Sequence, residues 1–262
     1  MLPTAYCRLV IKRGIGALPI FVRPFHHYAL RISHYALLPK KKGSPTLITI
    51  KNLHCDFPDG EGKQIRALSI PYFQFTEGAW CLTGPSGSGK TTLLHCLSGL
   101  LVPTEGQIQI DDQDMTTMTA KERCDFRAHQ VGYMFQKPLL LSYLNVAENL
   151  QLSAKLAGKS LSHAEIENLL ESVGLGRYET RKVNKLSGGE AQRVSFLRAI
   201  LRKPSIFLAD EPTASLDRPN GTLLIEQMLA YQKESHCLLL CATHDEAVKK
   251  RFVHQLNLGI RD

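Results

Sequence analysis

The chain has 262 residues, 44% apolar and 21% charged, which suits one large α/β domain or two small ones. No uncharged apolar run approaches the roughly 18 residues that a membrane-spanning helix requires, so no span is expected. Eight of the 32 Lys and Arg fall within residues 1–50, which hold no acid, so the remaining 24 bases face 24 acids and the body is neutral, which argues against a duplex-binding protein.

Residues 1–44 read as a separate basic extension, with Pro3, Pro19, Pro24 and Pro39 interrupting any helix and a KKKGSP punctuation at 40–45. A misassigned translation start, a disordered arm lying on an anionic membrane surface and a transit peptide all fit that composition. From Thr46 the texture becomes alternating, LITIKNL, as in a strand. The turn cluster PDGEGK at 58–63 separates it from a second extended stretch running to Phe75. Residues 79–83 (AWCLT) form a short apolar strand, and 91–101 carry helical spacing of Leu93, Leu94, Leu97 and Leu101. Helical patterns fill much of 145–202 and return at 219–233, with buried strands expected at 205–209 and 237–242. Strands alternating with helices predict an α/β fold with a mainly parallel core sheet, and the early strands predict an antiparallel flank. The seven cysteines include no CxxC pair, which points to buried thiols in a reducing compartment.

Between the third strand and the first helix lies a glycine-rich loop, Gly84, Pro85, Ser86, Gly87, Ser88, Gly89, Lys90, Thr91, Thr92, which fits GxxxxGK[ST]. Its glycines let backbone N–H groups converge on phosphate oxygens, and the following helix points its positive end at them. Lys90 would reach the β- and γ-phosphates of a nucleotide, and the Thr91 hydroxyl would ligate Mg²⁺. At average residue frequencies the pattern arises by chance in about one such chain in a hundred. The stretch SIFLADEP at 205–212 is an apolar strand ending in two carboxylates. Asp210 at its mouth can hold Mg²⁺ through water, and Glu211 can act as general base on the attacking water. LSGGE at 186–190 precedes a helix expected over 191–202, so Ser187, Gly188 and Gly189, with Glu190, make a second anion-accepting helix start. One nucleotide is already served by Lys90, so a second cradle makes sense if it serves a neighbour's nucleotide.

The order GPSGSGKT, Gln136, LSGGE, IFLADE, SLD at 215–217 and His244 resembles the ATP-binding subunit of ABC transporters over about residues 46–262. That resemblance implies a P-loop NTPase cassette at 45–262 with a helical subdomain near 137–190. It implies ATP and Mg²⁺ as ligands, with Gln136 sensing the metal and a membrane partner, Asp217 organising a dimer contact, and His244 clamping the γ-phosphate. Phe57, which follows the first strand, is similar to the aromatic residue that stacks on adenine. The implied partners are a second copy in a head-to-tail dimer and an integral membrane permease subunit, with no nucleic acid. The implied location is peripheral, on the cytoplasmic face of the inner membrane. TTLLHCLSGLLVPTEGQI, LSGGEAQRVSFLRAI and LADEPTASLD are similar to the lipoprotein-release, macrolide-export and cell-division class. That class commonly reads GNLD where this chain has Ala214, Ser215, Leu216 and Asp217. An alternative is a regulatory cassette that sends a mechanical signal through a membrane partner without transport.

Overall fold

The computed structural model describes residues 46–259, and the basic extension and the last three residues lie outside that range. Strands β1 (Ile48–Pro58) and β2 (Gln64–Phe75) form an antiparallel hairpin around the turn cluster. With β4 (Glu105–Ile110) and β5 (Gln113–Asp114) they make a four-stranded antiparallel sheet in the order β2-β1-β4-β5. The second sheet has the order β6-β7-β8-β3-β9, with β3 (Ala79–Thr83), β6 (Val131–Met134), β7 (Ile206–Asp210), β8 (Leu238–Ala242) and β9 (His254–Asn257). Every strand pair in it is parallel. The expected parallel core with an antiparallel flank is therefore what forms.

Burial on both faces explains why β7 and β8 read as unbroken apolar runs. Ile206, Leu208, Leu238, Leu240 and Ala242 join the core shared with β1, β2 and helix α1 (Lys90–Leu97). Phe207, Ala209, Leu239 and Cys241 point the other way, into a core with α3 (Val146–Leu156), α4 (His163–Ser172), α5 (Gly188–Ile200) and α6 (Arg218–Ser235). Alternation is therefore present, but hidden because both faces want apolar side chains.

Helix α1 stops at Leu97, short of the expected Leu101, because Gly99 takes a left-handed φ of 69° and its N–H turns back to the Cys96 carbonyl. Helix α5 starts three residues before its expected Ala191, because Ser187 and Glu190 close a capping box. Helix α2 (Ala120–Gln130) has no counterpart among the expected elements, since Phe126 is its only buried residue. The thiol expectation holds for Cys55, Cys81, Cys96, Cys237 and Cys241, and is corrected at Cys124, which is exposed on α2.

Candidate functional site

The glycine-rich loop joins β3 to α1, and two of its glycines are required sterically. A Cβ at Gly89 (φ 94°) would come within 2.7 Å of the Ala67 carbonyl oxygen, and one at Gly84 (φ 139°) within 2.6 Å of Ser88 Oγ. Lys90 is buried, and its Nζ donates to the carbonyls of Gly84 at 2.9 Å and Pro85 at 2.8 Å. An ammonium folded over its own loop gives that loop positive charge, as an anion receptor requires.

Across the cleft, Thr91 Oγ1 donates to Asp210 Oδ2 at 2.8 Å, joining the start of α1 to the end of β7. Asp210 is almost fully buried. Burial pushes its carboxyl up, the Thr91 hydrogen bond partly offsets that, and the neighbouring Glu211 adds to the rise. A buried carboxylate of this kind is one whose ionised form needs a cation.

Glu211 sits just past β7 with a left-handed φ of 44°. Its N–H donates to the Ala242 carbonyl at 2.9 Å, so the β7–β8 register carries the chain past the strand end. That register places Glu211 beside the residues following β8. His244 Nδ1 lies 2.8 Å from Glu211 Oε1, and Thr243 Oγ1 donates to Glu211 Oε2 at 3.2 Å. His244 itself is 75% exposed at its side chain, so it is held from one end and free at the other.

Phe57, Ser86, Gly87, Ser88, Gly89, Lys90, Thr91, Thr92, Gln136, Asp210, Glu211 and His244 line one cleft of about 640 Å³. Gly84 and Pro85 complete it through the carbonyls that hold Lys90. Residues far apart in the chain are thus gathered as the motif order suggested.

Ser187, Gly188, Gly189, Glu190 and Asp217 do not line that cleft. Ser187 caps α5, and its N–H donates to Glu190 Oε2 at 2.7 Å. The other Glu190 oxygen accepts from the Tyr178 hydroxyl at 2.7 Å and lies 3.7 Å from Arg181. Burial works to raise the Glu190 carboxyl, but the bonds from Tyr178 and Ser187 and the Arg181 charge outweigh it and hold it low. Gly189 presses on Leu216, where a Cβ would meet Cδ2 at 2.5 Å, and Asp217 Oδ1 accepts from Asn220 N to cap α6. These residues therefore form a second, separate unit, with the helix start of α5 packed against the 215–217 loop.

Sequence reasoning missed Gln192. It is fully buried on α5, and its Nε2 donates to the carbonyls of Gln136 at 2.9 Å and Phe135 at 3.4 Å. It ties the helix headed by Ser187 to the loop that carries Gln136. A lone glutamine on a helix gives no signal of this, since the partners are backbone carbonyls over fifty residues away. Thr243 was missed likewise, for its contact to Glu211 exists only through strand pairing.

The family model described as ABC transporter matches residues 72–214. The chain belongs to this ABC transporter family. As a member it is an ATP-hydrolysing, ATP-binding subunit of the ABC type. It is 36% identical over 208 residues to the lipoprotein-releasing system ATP-binding protein LolD of Legionella pneumophila, covering 78% of this chain and 91% of that protein. It is 37% identical to the macrolide export ATP-binding/permease protein MacB of Mannheimia succiniciproducens, over 77% of this chain but 32% of that longer protein. Among solved structures, a dimeric post-hydrolysis state of the ATP-binding cassette MJ0796 bound to ADP and Pi superposes with a TM-score of 0.75. That match has 30% identity and covers 81% of this chain and 94% of the cassette. Among the described residues of this ABC subunit, no helix is long and apolar enough to cross a membrane.

Proposed function

We propose that this cassette binds MgATP in the Lys90 cleft, hydrolyses it within a head-to-tail dimer, and thereby powers a separate membrane permease. In this reading Phe57 stacks on adenine, residues 84–92 cradle the phosphates, and Lys90 neutralises the β- and γ-phosphates. Glu211 takes the proton of the attacking water, and His244, aligned by its bond to Glu211, contacts the γ-phosphate. Thr91, Asp210 and Gln136 offer a hydroxyl, a carboxylate and an amide oxygen, a hard all-oxygen set suited to Mg²⁺, and the buried Asp210 carboxylate gains the cation it needs. Bound there, Mg²⁺ would neutralise charge developing on the phosphate oxygens.

The observation that carries the dimer is the separation of the two anion-accepting units. Ser187 and its glycines do not line the Lys90 cleft of their own chain, which leaves them to close the cleft of another copy. The test uses the Glu211→Gln variant, which keeps ATP unhydrolysed. With ATP it should elute as a dimer on size exclusion, and adding Ser187→Arg should return it to a monomer. A double variant that remains dimeric with ATP contradicts the arrangement.

A groove of about 270 Å³ supports the permease contact, because Phe135 lines it while the next residue, Gln136, lines the nucleotide cleft. In this reading one peptide unit links the two places, with the helical segment of 137–190 beside it. The likeness to LolD and MacB favours the export or lipoprotein-release class. A permease partner would hold the cassette peripherally at the cytoplasmic face of the membrane. In this reading the cassette spans residues 45–262, and residues 1–44 lie outside the described residues.

A further inference from the structure

Two thiols outside the nucleotide cleft lie against each other. Cys55 on β1 and Cys96 on α1 are 2% and 1% exposed, and their Sγ atoms are 3.4 Å apart across 41 residues of sequence. Each sits on an element that builds the ATP site. Phe57 follows Cys55 by two residues on the same strand, and Cys96 lies in the helix that opens with Lys90 and Thr91.

We propose that Cys55 and Cys96 are a peroxide-oxidisable dithiol whose disulfide ties β1 to the phosphate-loop helix and suppresses ATP hydrolysis.

Local geometry favours Cys55 as the sulfur that reacts first. The hydrogen bond from Cys96 holds the Cys55 thiol below its ordinary value, against burial, and the Thr104 backbone assists. The same sulfur contact, together with burial, pushes Cys96 up, so it remains a thiol and is suited to the resolving step. Cys55 also lies at a weak point of the sheet. The β1–β2 register shifts between Cys55 and Asp56, and the β1–β4 ladder ends at His54 opposite Glu105. On the β4 side the exposed Thr104 closes that end, donating its N–H to the His54 carbonyl at 2.9 Å and accepting from the Asp56 N–H through its hydroxyl at 2.9 Å. Small local opening there admits a molecule the size of hydrogen peroxide.

The steps balance without any further reagent. Cys55 thiolate attacks one peroxide oxygen, the O–O bond breaks, and the departing hydroxide takes up a proton to become water. The resulting sulfenic acid is attacked by Cys96 sulfur, the S–O bond breaks, and a second water leaves with the Cys96 proton. Two thiols and one peroxide give one disulfide and two waters, and a small-molecule dithiol reverses the change by exchange.

The consequence follows from packing. A covalent bond draws the sulfurs closer than their present contact, and Leu93, Leu94 and Leu97 of α1 are fully buried among β1 side chains. A close-packed core has little space to absorb such a shift, so part of it passes to Lys90, Thr91 and Phe57. Misplacement of reacting groups by about 1 Å costs on the order of a hundredfold in rate.

Three other cysteines serve as controls. Cys81 and Cys241 sit opposite each other on β3 and β8, but burial pushes Cys81 up to about 12 and Cys241 well up, which disfavours their thiolate forms. Cys124 is exposed and should oxidise without forming this bond.

The experiment treats the purified full-length chain with hydrogen peroxide, alkylates the remaining thiols, and maps peptides without reduction while hydrolysis is followed. The expected result is a Cys55–Cys96 linked peptide, a fall in ATPase of at least about tenfold, and recovery with dithiothreitol. Cys55→Ser and Cys96→Ala should each hydrolyse ATP normally and resist peroxide. Oxidation of Cys124 with no Cys55–Cys96 peptide overturns the proposal, whatever the variants do. So does a linked peptide with unchanged hydrolysis, and so does equal peroxide sensitivity in either folded variant.

Discussion

Replacing Glu211 by Gln should lower steady-state ATP turnover by at least about a hundredfold while leaving MgATP affinity close to that of the parent. The substitution keeps the size of the side chain and its place beside His244 and Thr243, so the cleft should persist. What it removes is the basic oxygen that would accept the proton of the attacking water. Glu211 occupies a left-handed conformation that costs a non-glycine residue roughly 1–3 kcal/mol. Such strain persists where the surrounding structure enforces it, here through the Ala242 carbonyl and the two side chains after β8. Near-normal hydrolysis by the purified variant would remove Glu211 from the chemistry.

Lys90→Ala should fail differently, at binding instead of turnover. Its ammonium lies buried over the loop carbonyls of Gly84 and Pro85, and it is the only Lys or Arg among the described residues that line the cleft. Without it the phosphates lose their charge-assisted contact and two loop carbonyls lose their donor, so the cradle itself loosens. Affinity for ATP should fall by about tenfold to a hundredfold or more, measured by titration with a fluorescent analogue. Binding as tight as the parent's would show that the phosphates lie elsewhere.

The two variants differ in what the sequence could reveal about them. The Lys90 loop was legible in full, because phosphate binding demands glycines, a lysine and a hydroxyl at fixed spacing between a strand and a helix. The partnership of Glu211 with Thr243 and His244 was legible only as motif order. It depends on β7 and β8 being parallel neighbours with Asp210 opposite Ala242, a register that no local pattern states. The buried strands were visible as apolar runs bounded by polar turns. Helix α2 was not, since one buried Phe126 among charged residues leaves almost no helical stripe. Strand β6 was hidden by following it directly, with no intervening turn. Gln192 shows the limit most plainly. Its effect is exerted on backbone carbonyls at Phe135 and Gln136, and main-chain acceptors have no sequence signature at all.

Within one chain the Ser187 unit lies apart from the Lys90 cleft, so in the proposed head-to-tail dimer a complete site would need both copies. Hydrolysis by the purified chain should then depend on association, and specific activity should fall as the protein is diluted through its dimer dissociation constant. The decisive measurement is specific ATPase activity at saturating MgATP across a dilution series of about three decades in protein concentration. Activity should rise with concentration toward a plateau, with Ser187→Arg flat and low throughout. Specific activity that stayed constant across the whole series, and was unchanged by Ser187→Arg, would contradict it.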